Sequence, residues 1–209
     1  MRYEAVIFDL GGVVLGSPLH AIARYERDGG FPQGFINRVV VESGRQGAWS
    51  RLERGELPMH AFYGAFEDDC RAAGETISAR TLMERIGEIA QPRPAMLAAV
   101  RSIRDRGLKA AALTNNWSGE GDATRSLEIH FDAFVESSVL GLRKPDPRIY
   151  THTCRVIGVD PARAVFLDDI GRNLKPARVL GMTTIKVNDP ESALAELARV
   201  LGFELGRVS

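Results

Sequence analysis

The sequence predicts an α/β fold: a doubly wound parallel sheet with an α-helical cap inserted after the first strand. Three observations predict it. Short apolar runs fit for buried strands recur at Ala5 to Asp9, Leu108 to Thr114, Ala133 to Val135, Ala164 to Asp168 and Thr184 to Val187. Segments with helical apolar spacing separate the later runs, as a parallel sheet covered on both faces requires. Between Leu15 and about Gln91 no strong strand run occurs, and the texture is helical.

Taken in order, Ala5-Val6-Ile7-Phe8 reads as a buried strand, and Asp9 followed by Leu10-Gly11-Gly12 reads as its opening into a tight turn. Cap helices are expected over Ala21 to Arg27, Gly34 to Glu42, His60 to Ala73 and Ala79 to Ile89, with breaks at Gly29-Gly30-Phe31-Pro32, Gly55-Glu56-Leu57-Pro58 and Gly74. Pro92-Arg93-Pro94 favours an extended return to the core. This assigns 1–14 and 92–209 to the core and 15–91 to the cap. In Ala95 to Arg106, Leu97, Val100 and Ile103 recur at helical spacing before the stop at Gly107. Arg172 to Leu180 buries Leu174, Ala177 and Leu180, and Ser192 to Leu201 carries Leu194, Leu197, Ala198 and Leu201; Gly181 and Gly202 end them.

At 209 residues there is room for one core domain and an insertion. Lys plus Arg and Asp plus Glu balance at 27 each, so no nucleic-acid or membrane surface is expected. Cys70 and Cys154 lie far apart outside any Cys-x-x-Cys pattern, which reads as two reduced packing thiols in a cytoplasmic protein. The first apolar stretch is too short for a signal peptide, and no later run approaches a membrane span.

Four polar clusters carry the chemistry: Asp9, Thr114-Asn115-Asn116, Lys144-Pro145, and Asp168-Asp169 with Asn173. Each alone fits a strand end or helix cap, and Asp146-Pro147 after Lys144 reads as an N-cap with proline at the first helical position. On one parallel sheet, however, Asp9, Thr114 and Asp168-Asp169 share the carboxyl edge, where ligands of open α/β sheets bind. Adjacent carboxylates repel unless a cation holds them, and carboxylate oxygens suit Mg²⁺. A hydroxyl, an amide and a lysine beside them are donors for a phosphoryl group. A carboxylate nucleophile, Mg²⁺ and phosphate donors together describe phosphoryl transfer.

Phe8-Asp9-Leu10-Gly11-Gly12-Val13, Leu113-Thr114-Asn115-Asn116, Gly141-Leu142-Arg143-Lys144-Pro145-Asp146-Pro147 and Phe166-Leu167-Asp168-Asp169-Ile170-Gly171-Arg172-Asn173-Leu174 resemble motifs one to four of the haloacid dehalogenase superfamily. The likeness runs in the family's order over essentially the whole chain. It is strongest to the N-terminal phosphatase domain of soluble epoxide hydrolases and the related domain of acyl-CoA dehydrogenase fusion proteins. The resemblance implies a Rossmann-like core with a type-one cap and a Mg²⁺-dependent phosphatase acting on a small phosphorylated metabolite. Asp9 would form an aspartyl-phosphate. Asp9, the Gly11 carbonyl and Asp169, with Asp168 nearby, would hold Mg²⁺. Thr114, Asn115 and Gly12 would contact the phosphoryl group, and Lys144 would balance its charge.

One departure from the family pattern stands out. Its phosphatases usually carry a second aspartate, a general acid and base, where this chain has Gly11. Two other readings therefore stay open: a catalytically weak phosphate-binding regulatory domain, and a halide-displacing hydrolase. Against the latter, displacing halide from carbon needs no cation, whereas Asp168-Asp169 makes a cation site. In the cap, Ser43-Gly44-Arg45-Gln46-Gly47-Ala48-Trp49-Ser50-Arg51 reads as a loop that family likeness dips into the site. Trp49 would form an apolar wall and Arg45 would meet an anionic group, or Trp49 would pack in the cap core and Arg45 would be solvated. Trp117 is a second wall candidate, and His20 is the histidine to test as a stand-in proton carrier.

Overall fold

A computed structural model describes residues 2–117 and 124–206. Five strands form one sheet: β1 (Ala5–Phe8), β2 (Lys109–Thr114), β3 (Ala133–Glu136), β4 (Ala164–Asp168) and β5 (Thr183–Lys186). The order is β3-β2-β1-β4-β5 and every pairing is parallel. Phe8 lies opposite Ala112 on one side and Leu167 on the other. The chain thus leaves the central strand at Asp9, between the ends of β2 and β4. The fold is the α/β class the sequence predicts.

Alternation along the strands covers both faces of the sheet. Val6, Phe8, Ala112, Val165 and Leu167 pack with Val100 and Ile103 of α6 (Pro94–Asp105) and Leu197 of α10 (Pro190–Leu201). Ala5, Ile7, Leu113, Ala164 and Phe166 pack instead with Tyr150 of α8 (Pro147–Ile157) and Leu174 of α9 (Gly171–Val179). A strand buried on both sides has no polar face to interrupt it, which explains the continuous apolar runs.

Residues Ala21 to Ile86 supply the buried members of a third apolar cluster. It draws on α1 (Pro18–Gly29), α2 (Phe35–Glu42), α3 (Ala48–Glu53), α4 (Met59–Ala72) and α5 (Ala79–Ile89). Phe62 and Phe66 stack at 5.3 Å at its centre, with Trp49 edge-on to both. The two passages between this bundle and the sheet run side by side. Leu15 bridges Pro92, and the Arg93 N–H donates to Val14 O at 2.8 Å. A Cβ at Gly16 would lie 2.0 Å from Ile89 O, so only glycine permits the approach.

The expected helices form within a few residues of their expected bounds, most often starting earlier where a proline occupies the first turn. The stretch after Ser43 differs more. Gly44–Gln46 makes a single tight turn, and Ala48–Glu53 is helical where a loop is expected. Six residues are too few to display a helical period, and Gly47 masks the start. Short helix α7 (Ser137–Leu140) precedes the Lys144 loop, and Asp146 caps α8 by accepting the Arg148 N–H.

Both cysteines are free and buried. Burial, with nearby Asp69 and Glu67, pushes the Cys70 thiol up to about 12; burial and Asp160 push Cys154 to about 11. Since the thiolate is the nucleophile, iodoacetamide at neutral pH should leave both unmodified until denaturant exposes them. Rapid labelling of the native chain, read by mass spectrometry, would contradict this packing.

Candidate active site

The site begins where β1 ends. The Asp9 carboxylate accepts the Leu10 N–H at 2.7 Å, and Leu15 N–H closes a wide turn onto Leu10 O at 2.8 Å. Inside the turn Gly12 adopts φ +79°, a conformation costly for any residue with a Cβ. Space is lacking as well: a Cβ there would lie 2.0 Å from Asp169 Oδ2. Glycine therefore lets the turn from β1 come against the carboxylate that follows β4.

Lys144 arrives from the α7–α8 loop, only 1% exposed. Its Nζ lies 2.8 Å from Asp9 Oδ1 and 2.7 Å from Asp168 Oδ2. Burial alone would lower its pKa, but Asp168 and Asp9 outweigh that and hold the ammonium above its ordinary range. Asp168 is fully engaged: Oδ1 accepts from Ile170 N–H and Asn173, and Oδ2 from Lys144 and Asn173. The Tyr150 hydroxyl donates to Asn173 O at 2.6 Å, tying this group to the core.

Ligand oxygens of Asp9, Asp168 and Asp169 lie within 4.8 Å of one another. Burial, then repulsion from Asp168 and Asp169 against the pull of Lys144, raises Asp9 well above the ordinary carboxylate value. Burial and Asp168 likewise raise Asp169, whose Oδ2 accepts the Ser17 hydroxyl at 3.1 Å. One ammonium thus faces three carboxylates in a desolvated place. An all-oxygen donor set carrying that excess charge fits a hard divalent cation.

A cavity of about 120 Å³ opens above, lined by Asp9, Gly11, Asn115, Lys144 and Asp169 and, from the cap, by Trp49 and Glu53. Trp117 also lines it, meeting Trp49 edge-on at 6.2 Å. Trp49 thus serves both readings at once, in the cap core and on the cavity wall. Thr114 ends β2 at the same sheet edge, 4% exposed, and is absent from the cavity lining. Asn115 spends its side chain on the scaffold: Nδ2 donates to Lys144 O and Glu53 Oε2, and Oδ1 accepts the Lys144 N–H.

Several of the expected residues do not line the cavity. Arg45 lines a neighbouring groove, and His20 is exposed and outside the cavity lining. Gly12 is also absent from the lining, since its N–H donates to Gly16 O and its carbonyl accepts from Arg93. The residues that motif reading passes over are Glu53, Arg143, Arg172 and Ser17. Glu53, 7% exposed, accepts Trp49 Nε1 at 2.9 Å on Oε1 and lies 2.5 Å from Arg143 Nε through Oε2. Arg143 also donates to the Ser50 hydroxyl at 2.7 Å, fastening α3 to the Lys144 loop.

The family model for haloacid dehalogenase-like hydrolases matches residues 3–181. This chain belongs to that family. It is 38% identical over 208 residues to acyl-CoA dehydrogenase family member 10 of Mus musculus, covering 97% of this chain and 20% of the relative. It is 34% identical over 221 residues to bifunctional epoxide hydrolase 2 of Sus scrofa, covering 98% and 40%. The chain therefore spans well under half of these two relatives. Sesquiterpene phosphatase astK of Aspergillus oryzae, 25% identical, is matched over 96% of this chain and 97% of its own length. Among solved structures, a family enzyme of Bacteroides thetaiotaomicron in complex with magnesium and inorganic phosphate superposes with TM-score 0.60 at 20% identity, covering 88% and 93%. No described helix of this family member is long and apolar enough to cross a membrane.

Substituting Gly12→Ala should displace Asp169, given φ +79° and the 2.0 Å approach. A loss of about 1–3 kcal/mol is expected from the strained backbone alone. A thermal melt of the variant beside the wild type checks it.

Proposed function

We propose that this chain is a Mg²⁺-dependent phosphatase that hydrolyses a small phosphomonoester through an aspartyl-phosphate formed on Asp9. The carrying observation is the Asp9 carboxylate on the cavity lining, 2.8 Å from buried Lys144 and beside Asp169. Phosphatase relatives support the same reading. Asp9 and Asp169, with the Gly11 carbonyl, would hold Mg²⁺, whose charge when bound polarises the phosphoryl oxygens. Asp168, its oxygens already engaged, orients Lys144 rather than serving the cation directly. Lys144 offsets the charge of nucleophile and phosphoryl group. Thr114 supplies a hydroxyl. Asn115 contributes its backbone N–H, because its side-chain amide is committed to Lys144 and Glu53.

Attack by Asp9 on phosphorus breaks the ester bond, and water then cleaves the acyl-phosphate. Proton transfer lacks the usual carboxyl because residue 11 is glycine. Glu53 faces the cavity, yet both its oxygens are taken by Trp49, Arg143 and Asn115. General acid–base help contributes on the order of 10²–10⁴-fold, so turnover should be slow for alkoxide leaving groups and better for phenolate ones. That same vacancy at residue 11 favours the second reading, a phosphate-binding regulatory domain.

Release of inorganic phosphate from a phosphomonoester panel tests the proposal. It should require Mg²⁺ and stop in EDTA. Mg²⁺-dependent binding of phosphate without any release would favour the regulatory domain. Activity on haloacids that persists in EDTA would favour the halide-displacing hydrolase.

A further inference from the structure

Beside the proposed phosphatase cavity lies a groove of about 250 Å³ between the cap and the Lys144 loop. Arg45, Arg54, Arg143 and Arg172 line it, with Asp146 as the lone lining acid. Most of that charge is already answered. Arg54 pairs with Glu56 at 2.6 Å, Arg143 with Glu53 at 2.5 Å, and Asp146 with Arg148 at 2.6 Å. Arg45 and Arg172 make no ion pair among the described residues. Two guanidinium groups with no direct ion pair among the described residues therefore line one groove.

The groove and the cavity are neighbours that share wall. Val40, Arg143 and Arg172 line both. A phosphoryl group placed on Asp9 would send the rest of its molecule past Trp49 and Arg172 toward Arg45. Arg172 is exposed, and desolvation and the like charge of Arg143 act against its cation although Glu53 and Asp168 favour it, so a bound anion would find a receptive cation there. Guanidinium forks match phosphate and carboxylate oxygens.

We infer that Arg45 and Arg172 form a second anion subsite, and that the substrate is a phosphomonoester whose far end carries another phosphate or carboxylate. This rests on the phosphatase reading and narrows its substrate class. The test uses the full chain and pairs of alkyl phosphates of matched length, one ending in methyl, the other in phosphate or carboxylate. At a preferred chain length kcat/KM should favour the doubly anionic partner by at least about tenfold. In Arg45→Gln and Arg172→Gln that ratio should fall toward unity.

Equal kcat/KM within every pair, or a preference that survives both substitutions, overturns the subsite and leaves the phosphatase reading standing. A free anion acting as effector would appear as sulfate changing the rate on the methyl-ended phosphate at constant ionic strength, with no preference within pairs; that too overturns it. If no phosphomonoester is hydrolysed, the phosphatase reading falls by itself, and calorimetric binding of the same pairs decides the subsite. Tighter binding of the doubly anionic partner that both substitutions abolish supports it, and equal binding overturns it.

Discussion

Replacing Asp9 by Asn should lower turnover by on the order of 10⁴–10⁶-fold, the scale on which an enzyme loses a covalent nucleophile. Asparagine keeps the size of the side chain and an oxygen for the Leu10 N–H, so the turn after β1 survives. Lys144 retains Asp168 at 2.7 Å. What disappears is the anionic oxygen proposed to attack phosphorus. Stability should move the other way. Burial and the neighbouring acids already hold Asp9 well above the ordinary carboxylate range, so at neutral pH its charged form costs the fold energy. In EDTA the variant should therefore melt no lower than the wild type, and the rise in Tm on adding Mg²⁺ should shrink. Undiminished phosphate release in Asp9→Asn would remove the covalent mechanism. An undiminished Mg²⁺ shift would place the cation elsewhere.

The core was readable because its physics is local. A strand covered on both faces must be apolar along its whole length, and β1, β2 and β4 announce themselves that way. A carboxylate ending such a strand has no packing role, which singles out Asp9 and Asp168-Asp169 before any geometry is known. Lys144 is different: nothing in its loop foretells a fully buried ammonium, and its place among the polar clusters says nothing of the two carboxylates it meets. The cap side of the site was the least legible. Glu53 sits on a six-residue helix too short for periodicity, and its partners Trp49, Arg143 and Asn115 lie up to 90 residues away in the chain. Arg45 and Arg172 come together on one groove wall although 127 residues separate them in the chain, a juxtaposition only three-dimensional neighbours reveal. That the Asn115 amide holds the Lys144 backbone is likewise invisible in sequence, since the two lie 29 residues apart.

The substitution Lys144→Met should both inactivate and destabilise, which distinguishes this lysine from one that merely greets substrate. Methionine fills a similar volume without charge, so packing loss is small. Two buried carboxylates, Asp9 and Asp168, would then face each other with no cation between them. Breaking a buried ion pair in this one-sided way costs about 3–5 kcal/mol, or roughly 6–20 °C in Tm for a chain of this size. Asp9 would be pushed higher still, and an acid with a raised folded pKa loses stability as pH climbs through that value. The deficit should therefore widen from mildly acidic to neutral pH when EDTA is present. Mg²⁺ should recover part of the deficit, because Asp9 and Asp169 remain to hold it, while phosphate release stays lost for want of charge balance at phosphorus. Lys175→Met, on the exposed side of α9, is the control and should change stability by no more than about 0.5 kcal/mol. Loss of turnover with unchanged melting would make Lys144 a substrate contact alone. Lowered melting with full turnover would detach it from the chemistry and leave it a structural counter-ion.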